Sequence, residues 1–124
     1  MTRITQITPF VFTRSMPTAL AFYCDTLGFA CTFQADNYAF VRRNQKGLRI
    51  IEVDPDATCG EQMIYLDCDD VDAVYAQMKP QLDTLPKDRV RAPFDQPYAQ
   101  REFHVYDPDF CLLLFGTSIS PSTS

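Results

Sequence analysis

Tyr98-Ala-Gln-Arg-Glu-Phe-His-Val-Tyr-Asp-Pro-Asp-Phe-Cys-Leu-Leu-Leu-Phe-Gly116 has the form of a β-hairpin. From Arg101 to Tyr106 the residues alternate, with Phe103 and Val105 on one face and Glu102, His104 and Tyr106 on the other. Asp107-Pro108-Asp109 reads as a tight turn, because Asp accepts a local hydrogen bond and Pro fixes φ at the second position. Cys111 to Phe115 is an apolar run whose length, next to that turn, fits a buried strand.

An earlier stretch has the same layout. Phe40 to Val53 aligns without a gap to Phe103 to Gly116, 63 positions on, and Thr8 to Tyr23 aligns to Met63 to Met78 at a shift of 55. The chain therefore reads as two copies of one strand-helix-hairpin unit. Ile4 to Phe12 alternates as a strand, with Pro9 confining it to an edge or to a crossing between subunits. Ser15 is a suitable N-cap, Pro17 fits the first helical turn, Met16, Leu20, Tyr23 and Leu27 keep helical spacing, and Gly28 ends the helix. Strands follow over Phe29 to Ala35, Tyr38 to Arg42 and Leu48 to Val53, the first two joined at Asp36-Asn37.

Asp54 to Glu61 is a linker, and Gln62 to Cys68 is the next strand. Asp69 or Asp70 caps a helix carrying Val71, Val74, Tyr75 and Met78, which is expected to stop before Pro80. Pro86, Pro93 and Pro97 break the following segment, leaving one short strand near Val90. The expected fold class is α+β, with two βαβββ modules in an eight-stranded, half-open mixed sheet arrangement and helices on the outer faces. Residues 1–116 would form a single domain of two pseudo-repeats (about 4–53 and 62–116), and residues 117–124 a flexible tail.

The 124 residues are 46% apolar and include 16 Phe and Tyr but no Trp, which suits one aromatic-rich core. A net charge of −5 argues against nucleic acid, whose phosphates need a basic face, and mildly favours a cationic or neutral small ligand. The five cysteines contain no C-x-x-C pair, and no signal peptide or long apolar span is evident, so a cytoplasmic address without membrane contact is expected. Cys59, beside Gly60, is the thiol expected to be most exposed.

Thr18-Ala-Leu-Ala-Phe-Tyr-Cys-Asp-Thr-Leu-Gly-Phe29 resembles the S-x-x-FY-x-x-x-LGF signature of the vicinal oxygen chelate superfamily (glyoxalases, bleomycin resistance proteins and dioxygenases). Arg101 to Asp109, with Phe115-Gly116 beyond, is similar to its REF-x-V-x-DPDG-N-LL segment, and Pro97-Tyr98 before it points to the bleomycin-resistance branch. That resemblance implies a homodimer that sequesters a drug without metal or other cofactor. Enzymes of the superfamily hold a divalent metal on the first and last strands of each unit, positions that transfer here to Thr8, Ile51, Met63 and Leu114. Such residues are poor donors for Zn, Mg, Mn or Fe. Glu52 is one residue out of register, which in a strand puts it on the opposite face.

Two departures from the family pattern stand out. Phe110 occupies the turn position where the family has Gly, which implies strain of roughly 1–3 kcal/mol if φ is positive there. The first repeat keeps a glycine at the matching position, Gly47. Tyr98-Ala99 replaces the family Trp-Gly.

The expected ligand site is the concave face carrying Phe10, Phe12, Met63, Tyr65 and Leu114, with Tyr98, Glu102 and His104 at its rim. Aromatic walls with a carboxylate suit a planar, weakly cationic molecule. No catalytic residue is assigned. The alternatives are a metal-dependent glyoxalase or lyase with atypical ligands, or with His104 as base, and a module whose apolar face docks another protein.

Overall fold

The computed structural model describes residues 2–119. The chain divides into two compact units between Gly60 and Glu61. Each contains a four-stranded mixed sheet with one helix packed on it, so both βαβββ modules of the α+β fold are present.

In the N-terminal unit the elements are β1 (Phe10–Thr13), α1 (Met16–Leu20), β2 (Ala30–Ala35), β3 (Tyr38–Arg43) and β4 (Lys46–Glu52). Their order in the sheet is β1-β4-β3-β2, with β1 and β4 parallel. The Ser15 hydroxyl accepts from Thr18 N, Pro17 sits in the first turn, and the Glu52 carboxylate accepts from Met16 N at 2.7 Å. Glu52 therefore points to the helix side of its strand, as the pleat requires, and its charge meets the positive end of α1. The helix continues as a π-helical turn over Ala21–Thr26 and ends at Gly28, whose φ is +81°. Alternation sends Val11, Ala39, Val41, Leu48 and Ile50 under that helix, where Met16, Ala19, Phe22, Tyr23 and Leu27 complete the core.

The first strand is shorter than its alternating sequence suggests. Ile4 and Ile7 are each 82% exposed, and pairing begins only where the Pro9 carbonyl accepts from Arg49 N. Pro9 has no N–H for the ladder, so it stands at the entry of this edge strand rather than inside it.

In the C-terminal unit, β5 (Met63–Asp67), α2 (Val71–Leu82), β6 (Val90–Gln96), β7 (Gln100–Tyr106) and β8 (Leu112–Ser118) build a sheet ordered β5-β8-β7-β6. Asp70 is the cap, accepting from Ala73 N, and Val71 N donates to the Thr117 hydroxyl. Phe103 and Phe115 stack 4.6 Å apart beneath α2, and Tyr75 meets Phe103 at 5.1 Å.

Three expectations from proline and from the tail are corrected. The helix does not stop before Pro80 but runs through it to Leu82, which is 1% exposed and anchors the last turn in the core. Only one i→i−4 bond is lost so close to the C-terminus. The segment around Val90 is a full seven-residue edge strand, and a register shift between Arg91 and Phe94 accommodates Pro93. Thr117 and Ser118 belong to β8 rather than to a frayed tail, and Thr117 ties β8 to Cys68 O and Val71 N. Residues 120–124 of the expected tail lie outside the described residues.

The repeat is real but its hairpins are not in gapless register. Phe10 pairs with Arg49 and Tyr65 with Leu114, so at the shift of 55 that relates β1 to β5, Arg49 corresponds to Leu114. By the same ladders Phe40 corresponds to His104 and Tyr38 to Glu102. The 63-residue alignment had matched Phe40, on the open face, to Phe103, on the helix face. The two turns explain the slip. Asn44 and Gln45, both at positive φ, form a two-residue turn between β3 and β4, whereas five residues separate β7 from β8.

Gly47 is accordingly not a left-handed turn residue. It leaves space for the Phe40 ring, since a Cβ there would come within 2.4 Å of Cζ. Phe110 does have positive φ, +66°, in a turn held by Asp107 Oδ1, which accepts from Asp109 N and Cys111 N. Its ring is 65% exposed and meets Tyr106 edge-on at 6.5 Å. Left-handed backbone costs an L-residue roughly 1–2 kcal/mol, against roughly 0.5–1 kcal/mol for the added chain entropy of glycine. Phe110→Gly should raise stability by about 0.5–1 kcal/mol, read as a higher urea midpoint at constant m value. A lower midpoint would show that the Tyr106 contact outweighs the strain.

Candidate functional site

The open face of the C-terminal sheet is built by the residues that alternate away from α2. Tyr65 on β5, Leu114 on β8 and His104 on β7 lie in one row across the sheet, and Asp67, Gly116, Glu102 and Phe94 in the next. Glu102 is at the centre and has no exposed surface. Its Oε1 accepts from Gln96 Nε2 at 3.1 Å and from His104 Nε2 at 2.8 Å, and its Oε2 accepts from the Tyr98 hydroxyl at 2.7 Å. An ionised carboxylate can only accept, so His104 Nε2 carries a hydrogen.

Burial acts to raise the pKa of Glu102, but the hydrogen bonds from His104, Tyr98 and Gln96, with the Tyr65 hydroxyl close by, outweigh it and hold the carboxyl below its ordinary value. Tyr65 is affected in the opposite sense. Desolvation of its hydroxyl, then the Glu102 carboxylate beside it, raise it well above a usual phenol. The same carboxylate raises Tyr98, first through its hydrogen bond. The Tyr65 hydroxyl donates its one hydrogen to Gln100 Oε1 at 3.0 Å, and Gln100 passes a bond on to the Ser118 hydroxyl. Gly116 makes this position possible, because a Cβ there would stand 1.9 Å from the Tyr65 hydroxyl oxygen.

Around this centre, Phe94 meets His104 edge-on at 5.0 Å, and the Arg91 guanidinium lies 3.5 Å above the Phe94 ring. Tyr98, Met63 and Tyr65 are 56%, 69% and 37% exposed, and Leu114 is buried. Five of the eight expected site residues, Tyr65, Tyr98, Glu102, His104 and Leu114, thus gather on this face, with Met63 at its edge. Phe10 and Phe12 lie on the open face of the N-terminal unit, next to Arg49 and Ile51. Gln96, Gln100, Phe94 and Arg91 were not anticipated, because the irregularity in β6 interrupts the alternation that would have placed two of them beside Glu102.

The donor chemistry does not fit a metal. Thr8 precedes β1, Ile51 and Leu114 have hydrocarbon side chains, and by the strand ladders the counterpart of Ile51 is Gly116 rather than Leu114. Met63 offers a thioether alone. Among the described residues no group of three or more His, Cys, Asp or Glu side chains is placed to hold an ion.

The model of the glyoxalase/bleomycin resistance protein/dioxygenase superfamily matches residues 3–113. The chain belongs to that superfamily. No curated protein sequence matches it. Among solved structures of superfamily type, a bleomycin resistance determinant encoded on the transposon Tn5 is 24% identical, with a TM-score of 0.79 over 93% of this chain and 98% of that one. A bleomycin-binding protein complexed with bleomycin is 26% identical, with a TM-score of 0.72 over 93% of this chain and 99% of the other. A glyoxalase-related enzyme from Clostridium phytofermentans is 17% identical, with a TM-score of 0.76 over 95% and 98% of the two chains. The superfamily fold is thus shared by binding proteins and enzymes, and the side chains must separate them. No helix among the described residues is long and apolar enough to cross a membrane.

A carboxyl whose folded pKa lies below its unfolded value adds stability above the unfolded pKa, and that stability is lost as pH falls through the folded pKa. Stability measured by urea unfolding should therefore drop in acid below about pH 4.5, the region of an unperturbed Glu. Glu102→Gln should be less stable at neutral pH by roughly 2–4 kcal/mol and flatter across the acid range. An unchanged acid slope would remove Glu102 from the centre of the network.

Proposed function

We propose that this protein binds a planar, weakly cationic aromatic molecule on the open face of the C-terminal unit and acts by sequestration, without metal and without chemistry. The observation that carries this reading is the Glu102 centre. The carboxylate is buried and satisfied by internal donors. Its charge acts through the tyrosines. A phenol donating to a carboxylate, as Tyr98 does, has an electron-rich ring, and the exposed rings of Tyr98 and Tyr65 are what a ligand meets. Such rings favour cations and extended aromatic systems by cation–π contact and stacking.

The bleomycin resistance and bleomycin-binding proteins that share the fold support drug binding of this kind. We further place the protein in the cytoplasm as a homodimer, the first on its odd and motif-free cysteine complement and the second on its family resemblance. The alternative, a metal-dependent lyase, has the glyoxalase-related neighbour in its favour but finds no ligand set of the usual donors among the described residues.

A thermal-shift titration with bleomycin and smaller aromatic cations tests the reading, since a ligand that binds only the native state raises its stability. Tyr65→Ala and Tyr98→Ala should each weaken binding about tenfold while lowering the melting temperature of the free protein by only a few degrees, in line with the partial exposure of both rings. Loss of stability in proportion to loss of binding would sink the site assignment. Stoichiometric metal in the purified protein, with a shift abolished by chelator, would move the conclusion to the enzyme.

A further inference from the structure

Cys24 and Cys31 are seven positions apart, and the fold turns them toward each other. Cys24 belongs to the π-helical turn over Ala21–Thr26, and Cys31 to β2, which packs against that turn. The chain reverses between them, with Cys24 O accepting from Gly28 N, Tyr23 O accepting from Phe29 N, and Gly28 at positive φ. In the ladder with β3, Cys31 pairs with Val41, whose side chain lies under the helix. Residues paired across a ladder share a face, so Cys31 is on the helix side of this edge strand. The Cys24 sulfur faces both the backbone N–H and the thiol of Cys31. The Cys31 sulfur is three bonds from that nitrogen, and its present contact is a donation to Phe33 O at 3.4 Å. A thiol is a weak donor, and rotation about χ1 exchanges that contact for the Cys24 sulfur.

The two thiols are unequal. Cys31 is exposed, whereas Cys59, expected to be the most exposed, is half-buried, as Cys24 is. Burial, then the neighbouring Cys31 and Asp25, push the Cys24 thiol above its ordinary value. Cys111 is the other extreme, buried and pushed up to about 12 by desolvation and then by Asp107. An oxidant in solution therefore meets Cys31 first, and Cys24 is placed to attack what forms there.

We propose that Cys24 and Cys31 form a reversible disulfide in response to hydroperoxides, an oxidant-sensitive site on the helix side of the N-terminal unit. The Cys31 thiolate attacks one oxygen of hydrogen peroxide and the O–O bond breaks. Cys31 becomes a sulfenic acid, and the departing hydroxide takes up the thiol proton as water. The Cys24 sulfur then attacks the Cys31 sulfur, its proton leaves with the hydroxyl group as a second water, and the S–S bond closes. Two thiols are oxidised, one peroxide is reduced, and the chain loses two hydrogen atoms. A small thiol reverses the step by exchange, so the bridge is transient in a reducing compartment. Closed, it ties the end of the helix to β2. Neither open face supplies a group to it, and it stands independently of the ligand-binding reading.

Asp25 lies between the two cysteines, so proteolysis on the N-terminal side of aspartates leaves two peptides joined only by the bridge. After a pulse of hydrogen peroxide to the full chain and alkylation of the remaining thiols, mass spectrometry should find this joined pair as the main product. Cys24 and Cys31 should escape alkylation about tenfold sooner than Cys68 and Cys111. The bridged protein should melt a few degrees higher, and dithiothreitol should restore the starting melting temperature. Cys24→Ser should leave Cys31 as a sulfenic acid that dimedone traps, and Cys31→Ser should leave Cys24 open to alkylation after unfolding. Both variants, when reduced, should melt within a few degrees of the natural chain, and Cys59→Ser should leave the bridge unchanged. Sulfenic or sulfinic acid at Cys31 of the natural chain without the joined pair would overturn the assignment. So would cross-linking through Cys31 to a second copy, a bridge that uses Cys59, or two intact thiols at a dose that oxidises free cysteine.

Discussion

A carboxylate with no exposed surface, on the middle of a sheet, is tolerated only when donors meet it from several directions. Glu102 imposes that condition on the C-terminal unit. It needs Gln96 from the edge strand, Tyr98 from the turn and His104 from its own strand, and it needs Tyr65 near enough to contribute from the far side of β8. The last requirement fixes a residue that has no side chain of its own. Gly116 lies between Tyr65 and Glu102, and any side chain there would occupy the space of the Tyr65 hydroxyl. Sheet packing, glycine placement and the electron-rich face thus follow from one buried charge.

Much of this was legible in the sequence because it rests on the two-residue pleat. Alternation along β7 placed Glu102 and His104 opposite Phe103 and Val105, and Ser15, Gly28 and the Asp107 turn marked their elements by local chemistry. Proline was the main source of error. At Pro80 and Pro93 its cost is confined to one helix bond or one edge position, and buried neighbours such as Leu82 outweigh it. The repeat misled for a different reason. Letter similarity favoured a gapless match, whereas the hairpin turns differ in length, and an odd offset in a strand exchanges its faces. Gln96 and the Arg91–Phe94 pair were hidden by the irregularity between Arg91 and Phe94, which resets the alternation.

Duplicated halves usually preserve what the fold needs and release the rest. Here the helix-facing positions stay mostly apolar in both units, with Glu52 and Thr117 meeting the helix N-termini, while the open-face centre has diverged in charge. Glu102 is surrounded by hydroxyl and amide donors, and Arg49 by Phe40 and Tyr38. Divergence of that kind leaves the packed layer unchanged, because the two faces of a strand are chemically independent.

The parallel pairing of β5 with β8 has a kinetic consequence. Tyr65 meets Leu114 across 49 positions of chain, whereas β7 meets β8 across a short turn. Loop-closure entropy grows slowly with length, yet the difference still amounts to roughly 2 kcal/mol, and it is spent before any β5 contact forms. On these grounds the β6-β7-β8 meander assembles first and β5 joins last. The rows of side chains that define the open face are complete only after that step, so the nascent hairpin contains Glu102 and His104 but not the Tyr65 ring. The open face of this unit is therefore a property of the finished topology and of no shorter segment of the chain.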